Sequence, residues 1–304
     1  MINEYALEPE MVATWGAIHN SRFFLHEFGL SQGRLISQYP KKWAKKVWES
    51  FDEVDQNDRR RLVELLVQFK KTMIKRKNYI WDDAQNSWLG NALLEHDRHP
   101  FSNVMAKSNP GNRLEILSEE ALGDSPCPGW ENPHGALVNR KAQDMAASVG
   151  VLLSHCRWVK FIDPYFSKCR RNHKLSMLAF LKVFAMERPV GPPEKIEIHT
   201  RWNGTTMNYL NDFYEKIIPK GLQGTLYQWR QKPGGPRLHN RYILTNLGGV
   251  SFQHGLDIGE VGETDDVTRL DLNQFDSHCK QYDPQNPAFD QAAQPIVING
   301  KCIM

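Results

Sequence analysis

The chain has 304 residues, 40% hydrophobic and 24% charged, a composition typical of a globular protein that is long enough for two domains. The formal net charge of +3 is too small to indicate any class of partner. The charge is unevenly distributed, because residues 34–77 contain thirteen Lys and Arg but only six Asp and Glu.

The cysteines and the hydropathy of the chain bear on its location. The five cysteines are scattered and include no C-x-x-C pair, which indicates reduced thiols in a cytoplasmic protein. The first residues do not resemble a signal peptide, and the longest apolar runs are too short to cross a bilayer. We therefore expect a cytoplasmic protein without membrane contact. No P-loop or metal-ligand spacing stands out, so no cofactor and no metal are expected.

The first third of the chain is predicted to be helical. Residues 9–28 begin with a proline suited to a first helical turn, and a second helix begins near Pro40. Residues 55–78 repeat apolar side chains at i, i+3, i+4 and i+7, and residues 82–96 form a fourth helix. Because no two-residue alternation is visible, we expect an all-α N-terminal domain over residues 1–125.

A basic run with aromatic neighbours ends the third predicted helix. Such a run can follow a phosphate backbone while its rings stack on bases. The alternative is a helix C-terminus whose lysines complement the helix dipole. The candidate nucleic-acid-binding residues of this run are Lys70, Lys71, Lys75 and Arg76.

Strands and helices alternate in the remainder of the chain. Turn-forming and helix-breaking residues are frequent between residues 109 and 130, and we expect a domain boundary after residue 125. Helices are predicted at 139–156, 173–186 and 206–218, and strands at 158–166, 195–200, 225–229, around 239 and at 250–252. This order predicts that residues 126–304 form an α/β sandwich with a mixed sheet.

The pair His239 and Arg241 is the strongest candidate for chemistry. On a strand, residues two apart point to the same face, so the pattern predicts an imidazole beside a guanidinium. Arg offers a rigid set of donors for phosphate oxygens, and His can act as a nucleophile or carry a proton near neutral pH. The alternative is an exposed strand with incidental polar residues.

Other candidates for substrate binding follow neighbouring strands. His199 and Arg201 repeat the same spacing at a strand end, a favoured position for sites in open sheets, although a solvated strand end is the simpler interpretation. His254 and Asp257 flank Gly255, where backbone N–H groups could approach an anion. Asp163, which precedes Pro164, is more often a turn former than an acid.

Three short motifs in the second part resemble the phospholipase D superfamily. They are the strand and loop at residues 161–166, the pattern His239-x-Arg241-x4-Asn246, and Gly255-Leu256-Asp257. The second motif is similar to H-x-K-x4-D of that family, with Arg for Lys and Asn for Asp. The resemblance covers about residues 135–275. The pattern looks especially like that of degenerate members, which include the C-terminal domain of an MIT-domain protein and bacterial proteins found around phage-defence systems.

The resemblance implies a phospholipase D-like fold and a metal-independent mechanism. His239 would attack phosphorus, Arg241 would hold the phosphate, and Asn246 would stand where the family has a carboxylate. Because one such motif occurs, an active enzyme would need a homodimer or another acid, such as His199 or His254. The leading hypothesis is a phospholipase D-like protein that acts on or binds nucleic-acid phosphodiesters and that, if active, is a metal-independent nuclease in bacterial antiphage defence.

Two departures from the family pattern favour a different class of function. Asn246 cannot offer a carboxylate, and Leu256 occupies the position of the family's serine. Both departures leave phosphate binding intact, so the alternative is a catalytically inactive subunit of a defence complex that binds nucleic acid or a partner protein. Binding of anionic lipid at a membrane surface is a third interpretation, which the lack of an amphipathic anchor helix in the second half disfavours.

Overall fold

The computed structural model describes residues 1–52, 55–85, 87–119, 121–123, 127, 129–186 and 188–303. The chain forms two compact units. The N-terminal unit comprises residues 2–133 and 189–191, and the C-terminal unit comprises residue 1, residues 134–188 and residues 192–304. The boundary expected after residue 125 falls at residues 124–126, which lie outside the described residues.

The N-terminal unit is an α/β structure, so the expectation of an all-α domain is wrong. Its strands pair in the order β2-β1-β3-β4, and every pair is parallel. The strands are β1 (Asn3–Leu7), β2 (Arg34–Ile36), β3 (Asn103–Ala106) and β4 (Ile116–Ser118), and the helices are α1 (Pro9–Ala13), α2 (Ile18–Glu27), α3 (Trp43–Glu49), α4 (Gln56–Thr72) and α5 (Trp88–Arg98).

The sequence conceals these strands because both faces of the sheet are buried. Tyr5 and Leu7 pack into the core formed with α1 to α4, whereas Ala6 packs into a second core with Ala92 of α5. A parallel sheet covered on both faces carries apolar residues without polar alternation. Strands of three to five residues therefore contain no period that distinguishes them from helix.

The helix predicted over residues 9–28 is interrupted. A 3-10 turn at Thr14–Gly16 separates α1 from α2. At Gly16 a Cβ atom would lie 2.6 Å from the carbonyl oxygen of Asp58, a distance that no other residue tolerates without movement. Glycine at this position therefore allows α4 to pass close to the backbone of the turn.

A buried ion-pair cluster connects three distant segments of the N-terminal unit. The Arg76 guanidinium donates to both carboxylate oxygens of Glu4 on β1, at 2.9 and 2.6 Å, and to Glu95 on α5 at 2.8 Å. The side chains of Arg76 and Glu95 are fully buried and that of Glu4 is 1% exposed. One guanidinium thus holds two carboxylates that have almost no contact with solvent.

The C-terminal unit contains one large sheet and five helices among its described residues. Its strands are β5 (Gly135–Asn139), β6 (Trp158–Ile162), β7 (Lys195–Arg201), β8 (Gln223–Arg230), β9 (Arg241–Thr245), β10 (Gly248–Phe252), β11 (Thr264–Arg269), β12 (Asp290–Gln291) and β13 (Ile296–Asn299). Its helices are α6 (Ala142–Ser148), α7 (Gly150–His155), α8 (Arg171–Ala185), α9 (Met207–Tyr214) and α10 (Leu272–Gln281).

The sheet has the order β12-β8-β7-β6-β9-β10-β11-β5, with β13 also pairing with β8. Strands β6, β7 and β8 are parallel, and the remaining pairs are antiparallel. The predicted mixed sheet is therefore confirmed. On one face Phe180 of α8 contacts Phe161 and Phe252, with ring centroids 5.8 and 6.1 Å apart. On the other face Tyr242 and Trp229 share a core with residues that include Tyr282 and Phe289.

Two further findings concern membrane-spanning helices and cysteines in the described part of the chain. No described helix combines the length and apolar character needed to cross a bilayer. All five cysteines are within the described residues, and no two of them form a disulfide bond.

The Arg76 cluster predicts a large loss of stability on substitution. Arg76→Met removes the guanidinium that pairs with the buried Glu4 and Glu95 carboxylates, although Glu95 keeps its pair with Arg98 at 3.2 Å. We expect the substitution to lower the free energy of unfolding by about 3–5 kcal/mol. The neighbouring exposed substitution Lys75→Met is the control, with an expected change within about 0.5 kcal/mol. Urea unfolding of the full chain measures both, and equal effects of the two substitutions would contradict the structural role of Arg76.

Candidate functional site at one end of the large sheet

The loops that carry most of the predicted site residues meet at one end of the large sheet. Strands β6 and β10 end at Ile162 and Phe252, and β9, which is antiparallel to both, begins at Arg241 opposite them. Strand β7 ends alongside at Arg201. We call this region the sheet-end site, defined by Asp163, Tyr165, Lys168, Arg201, Trp202, Arg230, His239, Arg241 and residues 253–257.

His239 does not lie on a strand, contrary to the prediction. The last strand pairs of β9 are Tyr242 with Ile162 and Arg241 with Phe252. The backbone at residue 239 has no neighbouring strand to pair with, and it forms a turn. The exposed His239 side chain is therefore oriented by a loop, and the two-residue strand spacing does not align it with Arg241.

His239 and Arg241 nevertheless line the same cavity, which has a volume of about 500 Å³. Strands β9, β10 and β11 and helix α10 surround it. Two further imidazoles, those of His134 and His278, line the cavity as well, and the His278 ring stacks on Tyr242 with centroids 4.1 Å apart. Other polar groups in the lining include Asn240, Ser251, Gln253, Asp266, Thr268 and Gln274.

The three cavity histidines do not constitute a metal site. Among the residues that the structure describes, no group of three or more His, Cys, Asp or Glu side chains is arranged to hold a metal ion. The cavity therefore presents imidazoles, hydroxyls and amides to a ligand. Groups of these types suit hydrogen bonding to phosphate oxygens and proton transfer.

The Arg241 guanidinium is held against an aromatic ring. Its Cζ atom lies 5.3 Å from the centroid of Tyr165, and its Nη1 is 3.5 Å from the carbonyl oxygen of Gln253. The amine of Lys168 lies 4.8 Å from the centroid of the same ring. Neither cation forms an ion pair with a described carboxylate. Two positive charges beside one tyrosine therefore remain available to an anion.

Arg201 and Trp202 extend this positive surface. Arg201 donates to the carbonyl of Leu238, the residue before His239, so it supports the loop that carries the imidazole. The Arg230 guanidinium lies over the ring of Trp202, 3.9 Å from its centroid, and Trp202 is 38% exposed. An exposed indole with cations around it is a surface on which a base can stack.

Asp163 has a structural role, in agreement with the alternative that it forms a turn. Its carboxylate accepts from the backbone N–H of Tyr165 at 2.8 Å and from that of Leu256 at 3.0 Å. The Nε2 atom of His173 lies 3.7 Å away, and Asp163 is only 1% exposed. The carboxylate thus joins the loop after β6 to the Gly255-Leu256-Asp257 segment.

The proposed anion-binding backbone around Gly255 is already occupied, which corrects that expectation. The N–H groups of Gln253, His254 and Gly255 donate to the buried carboxylate of Asp265. Gly255 has a φ of 155°, and the loop folds around an internal carboxylate. These three N–H groups are therefore not available to an external phosphate, although the His254 side chain is exposed.

Asp257 is also engaged internally. Its carboxylate pairs with Arg140 at 2.8 Å, and the same guanidinium pairs with Glu263 at 2.9 Å. Asp257 therefore fixes the loop through Arg140.

His199 is sealed inside the protein, so its predicted contact with substrate is wrong. The Trp229 indole can only donate, and it reaches Nδ1 of His199 at 3.1 Å. The proton of the imidazole is therefore on Nε2, which lies 3.2 Å from Glu197. Burial lowers the pKa of His199. The ring is neutral at neutral pH and both of its nitrogens are used.

Glu197 is the centre of a buried charge cluster on β7. Burial raises the pKa of its carboxyl, but the hydrogen bond with His199 and the charges of Lys160 and Lys195 outweigh burial and lower that pKa to about 2. The Lys160 amine lies 3.1 Å from the carboxylate and also donates to the carbonyl of Tyr282. The cluster joins β6, β7 and the segment after α10.

Asn246 lies at the opposite end of β9 from His239, and its assignment to the catalytic group is wrong. Its side-chain oxygen accepts from the backbone N–H of Arg157 at 2.6 Å, directly before β6. Five strand residues separate it from the site, a span of roughly 17 Å at the usual rise. Asn246 therefore fixes the start of a strand.

The basic residues predicted in the N-terminal unit divide into two groups. Lys70, Lys71 and Lys75 are exposed, as a nucleic-acid contact requires. Arg76 is 3% exposed and is engaged by Glu4 and Glu95. Its assignment as a binding residue is wrong, because its charge is neutralised inside the protein.

Sequence reasoning missed several residues of the site. His278 and Gln274 lie on α10, whose start is marked by a capping box between Asp271 and Gln274. That signature was available in the sequence. Lys168, Trp202 and Arg230 carried no comparable signal, because only the fold brings their loops together.

The chain was also compared with known proteins. It matches no protein-family model, and no curated protein matches it.

The Glu197 cluster predicts a specific pH dependence. The pKa of Glu197 is lower in the folded chain than in the unfolded chain, where it is about 4.3. Its contribution to stability is therefore complete above that pH and is lost as the pH falls toward 2. We expect Glu197→Gln to lower the free energy of unfolding by about 3 kcal/mol at pH 7. The substitution should also reduce the further loss of stability that occurs as the pH is lowered.

The exposed Glu194, 3.7 Å from Arg157, supplies the matched control for this measurement. Glu194→Gln is expected to leave both the stability at pH 7 and its acid dependence unchanged. Thermal unfolding from pH 7 to pH 2.5 tests both substitutions. An unchanged acid profile in Glu197→Gln would exclude the buried carboxylate as its source.

Proposed function

We propose that the C-terminal unit is a phospholipase D-like module that binds nucleic-acid phosphodiesters at the sheet-end site. The observation that carries this proposal is the set of cations without carboxylate partners beside aromatic rings. Arg241 and Lys168 flank Tyr165, and Arg230 covers Trp202. Cations that contact phosphates, together with rings that stack on bases, are typical of single-strand binding.

The arrangement of acidic groups supports the same proposal. Asp163 and Asp265 are buried and saturated by backbone N–H groups, and Asp257 is paired with Arg140. Their negative charge is directed into the loops, whereas the exposed groups at this end include Arg201 and His254. A phosphodiester would therefore contact Arg241 and Lys168 beside Tyr165, while the exposed carboxylate of Asp266 on β11 also lines the cavity.

The geometry favours binding over hydrolysis. A nucleophilic imidazole is usually oriented by a hydrogen-bonded partner, and no described residue forms a hydrogen bond with the His239 side chain. Asn246, the counterpart of the family's carboxylate, is at the other end of β9. We infer a nucleic-acid-binding subunit, and the resemblance to proteins around phage-defence systems suggests that it works in the cytoplasm within such a complex.

The proposed binding predicts that one substitution lowers the affinity for nucleic acid. We expect Arg241→Gln to weaken binding of a labelled single-stranded oligonucleotide about fivefold to tenfold and to reduce the salt dependence by about one phosphate contact. Fluorescence anisotropy across a salt titration measures both effects. Arg157→Gln, an exposed arginine at the opposite end of β6, should bind like the unsubstituted chain. Binding without any salt dependence would argue against a phosphate contact.

A metal-independent nuclease is the second candidate. The observation that favours it is the presence of His134 and His278 in the cavity that His239 lines. His239 would attack phosphorus, the P–O bond to the leaving oxygen would break, and a second imidazole would donate the proton to that oxygen. Water would then hydrolyse the P–N bond and release the phosphate. With His278 as the acid a monomer would be sufficient, whereas two facing His239 residues would require a homodimer.

Cleavage assays distinguish the two candidates. If the chain is a nuclease, we expect cleavage of single-stranded DNA or RNA in the presence of EDTA and at least a thousandfold loss in His239→Ala. His26→Ala, an exposed histidine of the N-terminal unit, is the control. A comparable loss in His278→Ala would identify the acid. Undiminished cleavage in His239→Ala would exclude this mechanism, and absence of cleavage with retained binding would favour the binding subunit.

A further inference from the structure

A second cavity lies within the N-terminal unit, between α3 and α4, and has a volume of about 680 Å³. Most of its lining is apolar, and the remainder is basic or neutral. We call it the α3–α4 groove, and its lining residues include Lys41, Trp43, Trp48, Val63, Leu66, Val67, Lys70, Met73, Lys75 and Lys77.

The floor of the groove exposes apolar side chains to solvent. Val63, Leu66, Val67 and Lys70 recur on α4 at the spacing of one helix face. Val63 is 43% exposed and Val67 is 53% exposed, and Trp48 on α3 is 36% exposed beside them. Clustered exposed apolar residues of this kind mark an interaction surface.

The rim of the groove is positively charged. The amines of Lys41, Lys70, Lys75 and Lys77 border it, and no Asp or Glu is among its described lining residues. None of these four amines forms an ion pair with a described carboxylate. The groove therefore attracts a ligand with both an apolar surface and several negative charges.

The floor distinguishes between two acidic partners. A nucleic acid needs flat rings for stacking or polar groups for its base edges. Trp48 is an exposed ring in the lining, but the α4 stripe of Val63, Leu66 and Val67 offers neither rings nor polar groups. An amphipathic helix needs an apolar groove about two turns long, and the stripe from Val63 to Lys70 spans eight residues of α4, about 10 Å along the axis.

We propose that the α3–α4 groove binds an acidic amphipathic helix of a partner protein. Apolar side chains of that helix at i, i+3, i+4 and i+7 pack on Val63, Leu66 and Val67. Its Asp or Glu side chains meet the lysines of the rim. The site is independent of the sheet-end site, so the chain has one surface for a partner protein and another for phosphodiesters.

The probe is a set of designed helical peptides of about 20 residues with leucines at the four apolar positions and glutamates on one flank. Members of the set differ in the register between leucines and glutamates. Two controls have the same length: one replaces the leucines with serine, and the other replaces the glutamates with lysine. Fluorescence anisotropy with the full chain measures their affinities.

Three substitutions test the location of binding. Val67 is exposed, and Val67→Asp is expected to weaken the affinity for the best peptide at least about tenfold. Lys70→Glu is expected to weaken the same affinity about fivefold. Lys71→Glu changes the charge equally on the same helix but lies outside the groove, so it is expected to change affinity less than about twofold. Circular dichroism verifies that each variant is folded.

Four outcomes would overturn the proposal. The first is failure of every register variant to bind at about 1 mM, and the second is equal binding of the serine-substituted peptide. The third is equal loss in Lys70→Glu and Lys71→Glu, which would indicate diffuse charge attraction. The fourth is binding of a single-stranded oligonucleotide that Lys70→Glu weakens and Val67→Asp leaves unchanged, which would assign the groove to nucleic acid.

Discussion

The extent of β9 pairing determines where the chemically important residues lie. Strand β9 has neighbours on both sides only as far as Arg241, because β6 ends at Ile162 and β10 at Phe252. Beyond that point the chain must leave the sheet, and it carries His239 in a turn above the strand ends. The same limit separates His239 from Asn246 by the full length of the strand.

Carboxylates organise the loops at this end of the sheet. Asp163 and Asp265 accept hydrogen bonds from the backbone N–H groups of residues 253–256, so these carboxylates stabilise the loop conformation. A buried polar backbone needs such partners, and here side chains provide them. As a result these two carboxylates point inward, while Arg241 and Lys168 remain at the surface beside Tyr165.

The sequence was sufficient for the stripe on α4, whose pattern reflects one-sided burial. Strands β6 and β7 and the mixed character of the large sheet were predicted as well, although both faces of these strands are buried. The strands of the N-terminal unit were not, since burial on both faces removes the alternation. Strand β11 was missed as well, because Asp265 and Arg269 are polar residues that the fold buries.

The candidate site was predictable only in part for a similar reason. The sequence identified His239, Arg241 and Asp163 as candidates, and the fold brings their segments together, but the two-residue spacing wrongly placed His239 on a strand. Spacing could not reveal that His199 and Arg76 are enclosed by partners distant in sequence, namely Trp229, Glu4 and Glu95. Whether a polar side chain faces solvent or an internal partner is decided by tertiary packing.

The two units are interleaved along the polypeptide, and this has a practical consequence. Residues 189–191 belong to the N-terminal unit although they follow α8, and the Pro189 carbonyl accepts the N–H groups of Lys77 and Asn78. A fragment ending at Pro133 would lack that acceptor. The protein therefore cannot be divided into two intact pieces by a single cut, and ribosomal synthesis must pass Gly191 before the first unit has all of its parts.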